Sequence, residues 1–343
     1  MPAFIFLNTA FMEIIRPPAL QIGDTIGIVA PAEPASLIEW GHLRLAEKKL
    51  NSLGLQVLYG TYAFQGRKLG IENIKERVRD IHQMFSSRKI RGVMAVIGGY
   101  SSNELLPHLD YRLIRNHPKA FIGFSDITAL QNAMLVKAGL VTFSGPCFAN
   151  FAQTQPPFDF EERWFKRGVM GEGTVSLVPS RMWADDEWWR HPRRSRALVK
   201  NAGWVIVRSG HNRGVIVGGN LSTFVLLFGT PYAPSLANKI LFIEEDSEMN
   251  AKMIERMLVQ LSQQNDFHRI RGLVVGRFGR KSGLSPESVK RLLRACTNNL
   301  NVPVIAHVDF GHTNPMITFP IGGACEIDTR HAALRLSRYR GTG

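Results

Sequence analysis

Lys119-Ala120-Phe121-Ile122-Gly123-Phe124-Ser125-Asp126-Ile127-Thr128-Ala129-Leu130-Gln131-Asn132-Ala133-Met134 reads as a strand, a break and a helix. Ala120 to Ile122 is a short apolar run of the kind buried in a sheet, and Gly123 ends it. From Asp126 the spacing turns helical, with Ile127, Leu130, Met134 and Leu135 on one face. Ser125 therefore falls on a sharp strand-to-helix turn. Its hydroxyl projects beside a helix N-terminus, where free N–H groups and the positive dipole end favour a developing negative charge. That is the setting of a nucleophile elbow, although Ile127 stands where the G-x-S-x-G spelling has its second glycine. Taken alone, the stretch reads more simply as a helix capped by Ser125 or Asp126, so the rest of the chain has to decide.

Outward from this point, strand and helix alternate. Thr25 to Pro31 is a short buried strand ended by proline. A helix follows from about Ile38 to Leu53, then a strand from Leu55 to Tyr59 and a helix from Asn73 to Phe85. Val93-Met94-Ala95-Val96-Ile97 is another apolar strand, ending in Gly98-Gly99-Tyr100. A helix around Ser102 to Leu106 precedes the Ser125 elbow, and Leu140 to Phe143 follows it as a strand. Such alternation predicts a parallel sheet covered on both faces. Sites in open sheets of this kind form at the C-terminal strand ends, where Gly98-Gly99 and Ser125 both lie. The glycine pair lets backbone N–H groups approach an oxyanion, or is a plain tight turn.

The pattern changes between Asn150 and about Asn201. Gln155-Pro156-Pro157, Gly171-Glu172-Gly173 and the run Arg190-His191-Pro192-Arg193-Arg194-Ser195-Arg196 suggest long connecting loops. Trp183, Trp188 and Trp189 surround Asp185-Asp186-Glu187. Aromatics beside acids can stack a flat ligand and bind its polar groups, or simply anchor the linker. A second α/β segment follows. Gly214 to Val217 leads through Gly218-Gly219-Asn220-Leu221 into a helix up to Phe228. The apolar strand Ile240 to Ile243 ends in Glu244-Glu245-Asp246, and Ile254 to Leu261 is an amphipathic helix. Leu273 to Phe278 and Val304 to Ala306 are further strands, the latter running into His307-Val308-Asp309-Phe310-Gly311-His312. Thr318 to Ile321 and the segment after Cys325 are expected to close the chain as hairpin strands. The chain thus divides into an extension at 1–20, an α/β domain at 21–150, a connecting region at 151–205 and a β/α domain at 206–343.

Composition narrows the function. The three cysteines, Cys147, Cys296 and Cys325, are far apart, which points to a reducing compartment and to neither a disulfide framework nor a cysteine-based zinc site. The apolar start Met1 to Leu7 lacks a basic n-region, which argues against a signal peptide, and no apolar run is long enough to span a bilayer. The formal net charge of +14 raises the alternative of a basic nucleotide- or nucleic-acid-binding protein without catalysis. However, the excess is scattered, and no zinc-finger spacing or helix-turn-helix signature accompanies it. A dinucleotide site is disfavoured because no G-x-G-x-x-G follows the first strand, and a P-loop is missing too. His307, Asp309 and His312 are a possible but isolated metal set.

What does accumulate is a serine on an elbow, acids at a strand end and a histidine in a Gly/Asn/Pro loop. Serine needs a base, imidazole titrates near neutrality, and a carboxylate fixes its tautomer. At this point the chain resembles the serine peptidases that include murein LD-carboxypeptidases and microcin C immunity peptidases. The resemblance runs from about Ile22 to the C-terminus. It is carried by Ile28-Val29-Ala30-Pro31-Ala32, Gly98-Gly99-Tyr100, Gly123-Phe124-Ser125-Asp126-Ile127-Thr128, Gly218-Gly219-Asn220-Leu221, Leu241-Phe242-Ile243-Glu244 and Asp309-Phe310-Gly311-His312.

The resemblance implies Ser125 as nucleophile, Glu244 as the acid and His312 as the base, with an oxyanion hole from the Gly99 and Asp126 backbone. Glu245 is a weaker candidate for the acid, since adjacent strand residues point to opposite faces, and Glu248 a supporting residue. It further implies a flavodoxin-like N-terminal domain, a C-terminal β/α domain, a cytoplasmic homodimer and no cofactor. Tyr100-Ser101-Ser102-Asn103 and the Trp183-Ala184-Asp185-Asp186-Glu187-Trp188 loop are similar to the immunity branch, which cleaves aminoacyl-sulfamoyl nucleotides. That resemblance makes Tyr100, Ser102, Asn103, Trp183, Asp186 and Trp188 candidate substrate contacts. The murein branch, which releases a terminal D-alanine, is the alternative.

Overall fold

A computed structural model of the chain describes residues 13–155, 158–190, 195–246, 248–331 and 333–337. The first twelve residues, Pro156-Pro157 and the centre of the arginine run lie outside the described residues. Two sheets organise the rest. In the first, five parallel strands run in the order Gln56–Tyr59, Thr25–Val29, Ile90–Ala95, Ala120–Gly123 and Thr142–Ser144. This is the doubly wound order of the flavodoxin type. Alternate side chains go to opposite faces. Val93, Ala95 and Phe121 join one core with helices Ile74–Ser86 and Thr128–Ala138, whereas Met94 and Ile122 join a second core with helix Trp40–Ser52. Burial on both faces explains why these strands read as continuous apolar runs.

The second sheet has eight strands. Its parallel centre is His211–Asn220, Lys239–Glu244, Gly272–Gly276 and Val304–Val308. Antiparallel neighbours flank it: Val205–Arg208 on one side, and Ala324–Asp328, Ala333–Ser337 and Thr174–Ser176 on the other. One hydrophobic core runs through both lobes, joining Leu130 and Met134 to Ile216, Phe242 and Val274.

Two local readings need correction. Phe319–Ile321 is not a closing hairpin strand of the second unit. It crosses back and pairs antiparallel with Thr142–Ser144, so the last third of the chain supplies an edge of the first sheet. The connecting region is not all loop, because Phe158–Phe165 is helical and Trp164 and Phe165 are buried. The described part of the N-terminal extension, from residue 13, packs on the first sheet's lobe. The Ile15 N–H donates to Gly139 O at 2.7 Å, and Leu20 is buried.

Candidate active site

The strand Ala120–Gly123 ends at Phe124, and Ser125 adopts a left-handed backbone with φ 62°. That conformation is costly for a residue with a Cβ, and it turns the hydroxyl out of the sheet before helix Thr128–Ala138 begins. Gly98 lies directly above it. A Cβ at Gly98 would sit 3.1 Å from Ser125 Oγ and 3.7 Å from the Asp126 nitrogen, so a side chain there would fill the space over the hydroxyl.

Two further groups reach this hydroxyl from the second sheet. His312 Nε2 lies 3.0 Å from Ser125 Oγ, and His312 Nδ1 lies 2.7 Å from Glu244 Oε2. With Glu244 ionised, Nδ1–H donates to the carboxylate and Nε2 faces the serine. Gly311 makes the pairing possible, since a Cβ there would collide with the Glu244 carboxylate. Asp246 adds a second anion, its Oδ2 3.2 Å from Nε2. Burial pulls the imidazole pKa down, but Glu244, with Asp246 and Glu245 behind it, outweighs burial and lifts it to about 9.

Glu244 and Glu245 divide their work by strand alternation. Glu245 turns away from His312 and receives Asn220 Nδ2 at 2.9 Å, the Ser222 N–H at 2.8 Å and the Asp246 N–H at 2.9 Å. It thereby secures the Asn220 cap of helix Leu221–Val225. The Asp126 side chain is likewise spent, accepting the Ser102 N–H at 2.8 Å, while the Ser102 hydroxyl donates to the Asp126 carbonyl at 2.6 Å. Ser102 is fully buried. It therefore staples the Gly98–Ser102 loop to the elbow.

The other proposed contacts separate into two groups. Tyr100 is 76% exposed, and its hydroxyl donates to Glu248 across the mouth between the lobes at 2.8 Å. That hydrogen bond, with some burial, lifts the phenol to about 12. Asn103 is half-buried at the start of the turn Ser102–His108. Trp183 lies beside the His312 loop, because its neighbour Ala184 forms a bridge with Asn314. Its ring carries the Arg277 guanidinium at 4.9 Å and that of Arg280 at 5.6 Å. Trp188 and Asp186, in contrast, are engaged with residues of the first lobe and the linker. Trp188 is buried in the first-lobe core with its ring edge-on to His42, and Asp186 takes Arg196 Nε at 2.9 Å on both oxygens.

Residues the sequence left unremarked hold the two lobes in register. Asn132 Nδ2 donates to the Gly218 carbonyl at 2.8 Å, and the Gly218 N–H donates back to Asn132 Oδ1 at 3.2 Å. The Asn220 N–H donates to Thr128 Oγ1 at 2.9 Å. Asn132 and Thr128 are one helical turn apart, both fully buried, on the helix that follows Ser125. Polar residues at i and i+4, Thr128 and Asn132, on a mostly apolar helix were the available signal. Asp309 is engaged with Arg277 at 3.1 Å and with the Ser180 N–H and hydroxyl. Among the described residues, no group of three His, Cys, Asp or Glu is arranged to hold a metal ion, and no helix is long and apolar enough to cross a membrane.

Comparison with known proteins identifies the family and the fold. Models of the LD-carboxypeptidase N-terminal and C-terminal domains match residues 26–145 and 213–327. A Treponema pallidum protein named as a carboxypeptidase is 36% identical over 309 residues, 90% of this chain and 91% of its own. MccF, the microcin C7 self-immunity protein of Escherichia coli, is 29% identical over 316 residues, 90% of this chain and 92% of its own. The crystal structure of an MccF-like protein from Bacillus anthracis superposes with a TM-score of 0.91 at 36% identity, covering 94% of this chain and 99% of that one. MccF in complex with glutamyl sulfamoyl guanosine superposes with a TM-score of 0.86 at 27% identity, covering 94% and 98%. The chain belongs to the LD-carboxypeptidase family of serine peptidases and is a carboxypeptidase-type hydrolase.

Proposed function

We propose that the protein hydrolyses an amide through Ser125, His312 and Glu244, and that its substrates are aminoacyl-sulfamoyl nucleotides. The observation that carries the mechanism is the unbroken chain Ser125 Oγ to His312 Nε2 at 3.0 Å and His312 Nδ1 to Glu244 Oε2 at 2.7 Å, on a serine held at φ 62°. Neutral His312 takes the hydroxyl proton as Oγ attacks the carbonyl carbon. The tetrahedral oxyanion develops beside the Gly99 and Asp126 backbone N–H groups. The imidazolium, stabilised by Glu244, returns its proton to the leaving nitrogen as the C–N bond breaks. Water then attacks the acyl-enzyme by the same route in reverse.

The immunity-type substrate is favoured by the likeness to the Bacillus anthracis MccF-like structure and to MccF with its bound glutamyl sulfamoyl guanosine. Among the candidate tryptophans, Trp183 is taken as the one that meets a base, because it borders the His312 loop, whereas Trp188 packs against the first-lobe core. The murein reading is favoured by the description of the family models. Action in the cytoplasm as a homodimer belongs to the same proposal. The test is to compare turnover of an aminoacyl-sulfamoyl adenosine with that of a murein tetrapeptide. The nucleotide substrate is expected to be cleaved faster, and Ser125→Ala and His312→Ala are each expected to abolish cleavage. A faster tetrapeptide reaction reverses the substrate choice, and near-wild-type rates in either variant sink the mechanism.

A further inference from the structure

Asp246 has no part in the three-residue relay, yet it is fixed beside it. Its Oδ1 accepts the Glu248 N–H at 2.7 Å, which closes a turn and aims Oδ2 at His312. The Oδ2 to Nε2 distance is 3.2 Å, while Nε2 is lined up on Ser125 Oγ. Asp246 is therefore beside the reacting nitrogen rather than in line with it. Its side chain is 36% exposed, and the loop it sits on is tied over the cleft by the Tyr100 to Glu248 hydrogen bond. We propose that Asp246 is the receptor for an α-ammonium group on the carbon next to the scissile carbonyl, and that in the free enzyme the same carboxylate is parked against His312 Nε2.

The geometry supports both halves. Oγ and Oδ2 flank one nitrogen at 3.0 and 3.2 Å, so a carbonyl carbon attacked by Oγ presents its α-nitrogen within reach of Oδ2. The groups that face His312 are Glu244 from its strand, Asp246 from the strand end, and Ser125 and the Phe124 ring from the first lobe, while Glu245, turned to the other face, acts on it only through its charge at longer range. With no substrate bound, the nearby carboxylates favour imidazolium, which cannot accept the serine proton. An arriving ammonium takes over Asp246. His312 then loses one anionic neighbour, releases its Nε2 proton to water and becomes the base. Substrate binding and base activation are thus one event. The inference rests on the proposed nucleophile and selects, among amides, those of amino acids with a free α-amine. An aminoacyl nucleotide has that amine, whereas a peptide acylated at the α-nitrogen does not.

The test reads covalent labelling of Ser125 by an α-aminoalkyl diphenyl phosphonate and by its N-acetyl form, across pH, in wild type and Asp246→Asn. The free-amine form is expected to gain about 100-fold over the N-acetyl form from Asp246, a gain lost in the variant. With the N-acetyl form, the acidic limb of the labelling profile is expected to move down by about one pH unit in the variant. The asparagine side chain keeps the oxygen that closes the turn, and Asp246→Glu, which retains the charge, is expected to restore part of the limb. A free-amine preference unchanged within about 3-fold in Asp246→Asn overturns the receptor, and an unmoved limb overturns the parked state. Labelling that fits these expectations in a protein that leaves both nucleotide and tetrapeptide intact counts against the proposed substrate alone. Failure of wild type to label with either form overturns the nucleophile and this inference with it.

Discussion

Asn132→Leu tests whether the relay depends on how the lobes are joined. The strand His211–Asn220 is paired with Ala324–Asp328 only up to Val215, with Ile216 exchanging hydrogen bonds with Gly322 and Gly323 just beyond. Past that point its outer edge would expose backbone groups in the core. The Asn132 amide substitutes for the missing strand, giving Gly218 one donor and one acceptor, and Thr128 Oγ1 serves Asn220 in the same way. Leucine fills a similar volume but leaves the Gly218 N–H and carbonyl unpaired in a buried interface. At about 1–3 kcal/mol for each buried orphan, the expected loss is about 2–6 kcal/mol. Ser125 lies on one side of this seam and His312 with Glu244 on the other. A slip of about 1 Å there is expected to slow Ser125 phosphonylation on the order of 100-fold. Urea unfolding gives the first quantity and labelling kinetics on folded protein the second. Thr128→Val is expected to be non-additive with Asn132→Leu, because both serve one strand edge. An Asn132→Leu protein within about 0.5 kcal/mol of wild type that labels at the normal rate refutes the argument.

Ser125→Gly and Ser125→Ala both remove the hydroxyl, but only glycine relieves the left-handed backbone at 125. Ser125→Gly is expected to be more stable than Ser125→Ala by about 1 kcal/mol in urea unfolding, and equal stabilities would remove strain from the elbow. Glu244→Gln is expected to cut phosphonylation by about 100-fold or more on the order-of-magnitude scale of acid–base catalysis and to draw the His312 pKa down from about 9. Glu245→Gln is expected to loosen the Asn220 cap and lower stability while labelling stays within about 3-fold of wild type, because its contacts lie on the other face. The reverse ranking would exchange the two carboxylates. Glu161 is buried beneath the His312 loop, where its carboxyl receives Asn314 Nδ2 at 2.8 Å and interacts with the Met316 backbone N–H. Burial raises its carboxyl to about 7, against the pull of Asn314 and Arg196. Since the folded form holds its proton more tightly than the usual 4.5, wild type loses stability as pH rises from about 4.5 to about 7 and does not regain it above. Glu161→Gln is expected to gain up to about 3 kcal/mol on wild type by about pH 8 and little at about pH 4. Parallel stability profiles would show that the carboxyl is solvated.

The parts of the site that could be read in the sequence are those a single segment specifies. An apolar run fixes a strand end, and Gly123-Phe124-Ser125 and Phe242-Ile243-Glu244 each place one functional group at or just beyond such an end, while Asp309-Phe310-Gly311-His312 places the third in the loop after Val304–Val308. Alternation along the strand even separates Glu244 from Glu245. The helix Pro286–Cys296 is passed over in the sequence reading, although it carries a local signal of the same kind, a Ser285 cap accepting the Ser288 N–H with proline in the first turn. Phe319–Ile321 is different, because a strand that leaves its own sheet to pair with Thr142–Ser144 has no local mark.

Side-chain allegiance was the hardest property to read. Trp183 and Trp188 are alike in composition and neighbourhood, yet Trp188 finds His42 and the first-lobe core while Trp183 finds Arg277 and Arg280. Asp186 finds Arg196, whose other nitrogen reaches Asn314 in the loop just past His312. Each choice is settled by a partner far along the chain or tied to such a partner, which no period of 2 or 3.6 can encode. The same holds for Asp246. A third acid after two others looks like a solvated strand end until the fold carries His312 up against it. The relay is thus written segment by segment, whereas whatever tunes it is written between segments. Variants at Asn132 and Asp246 should accordingly change rate and pH dependence through the seam and the mouth, with Ser125, His312 and Glu244 left untouched.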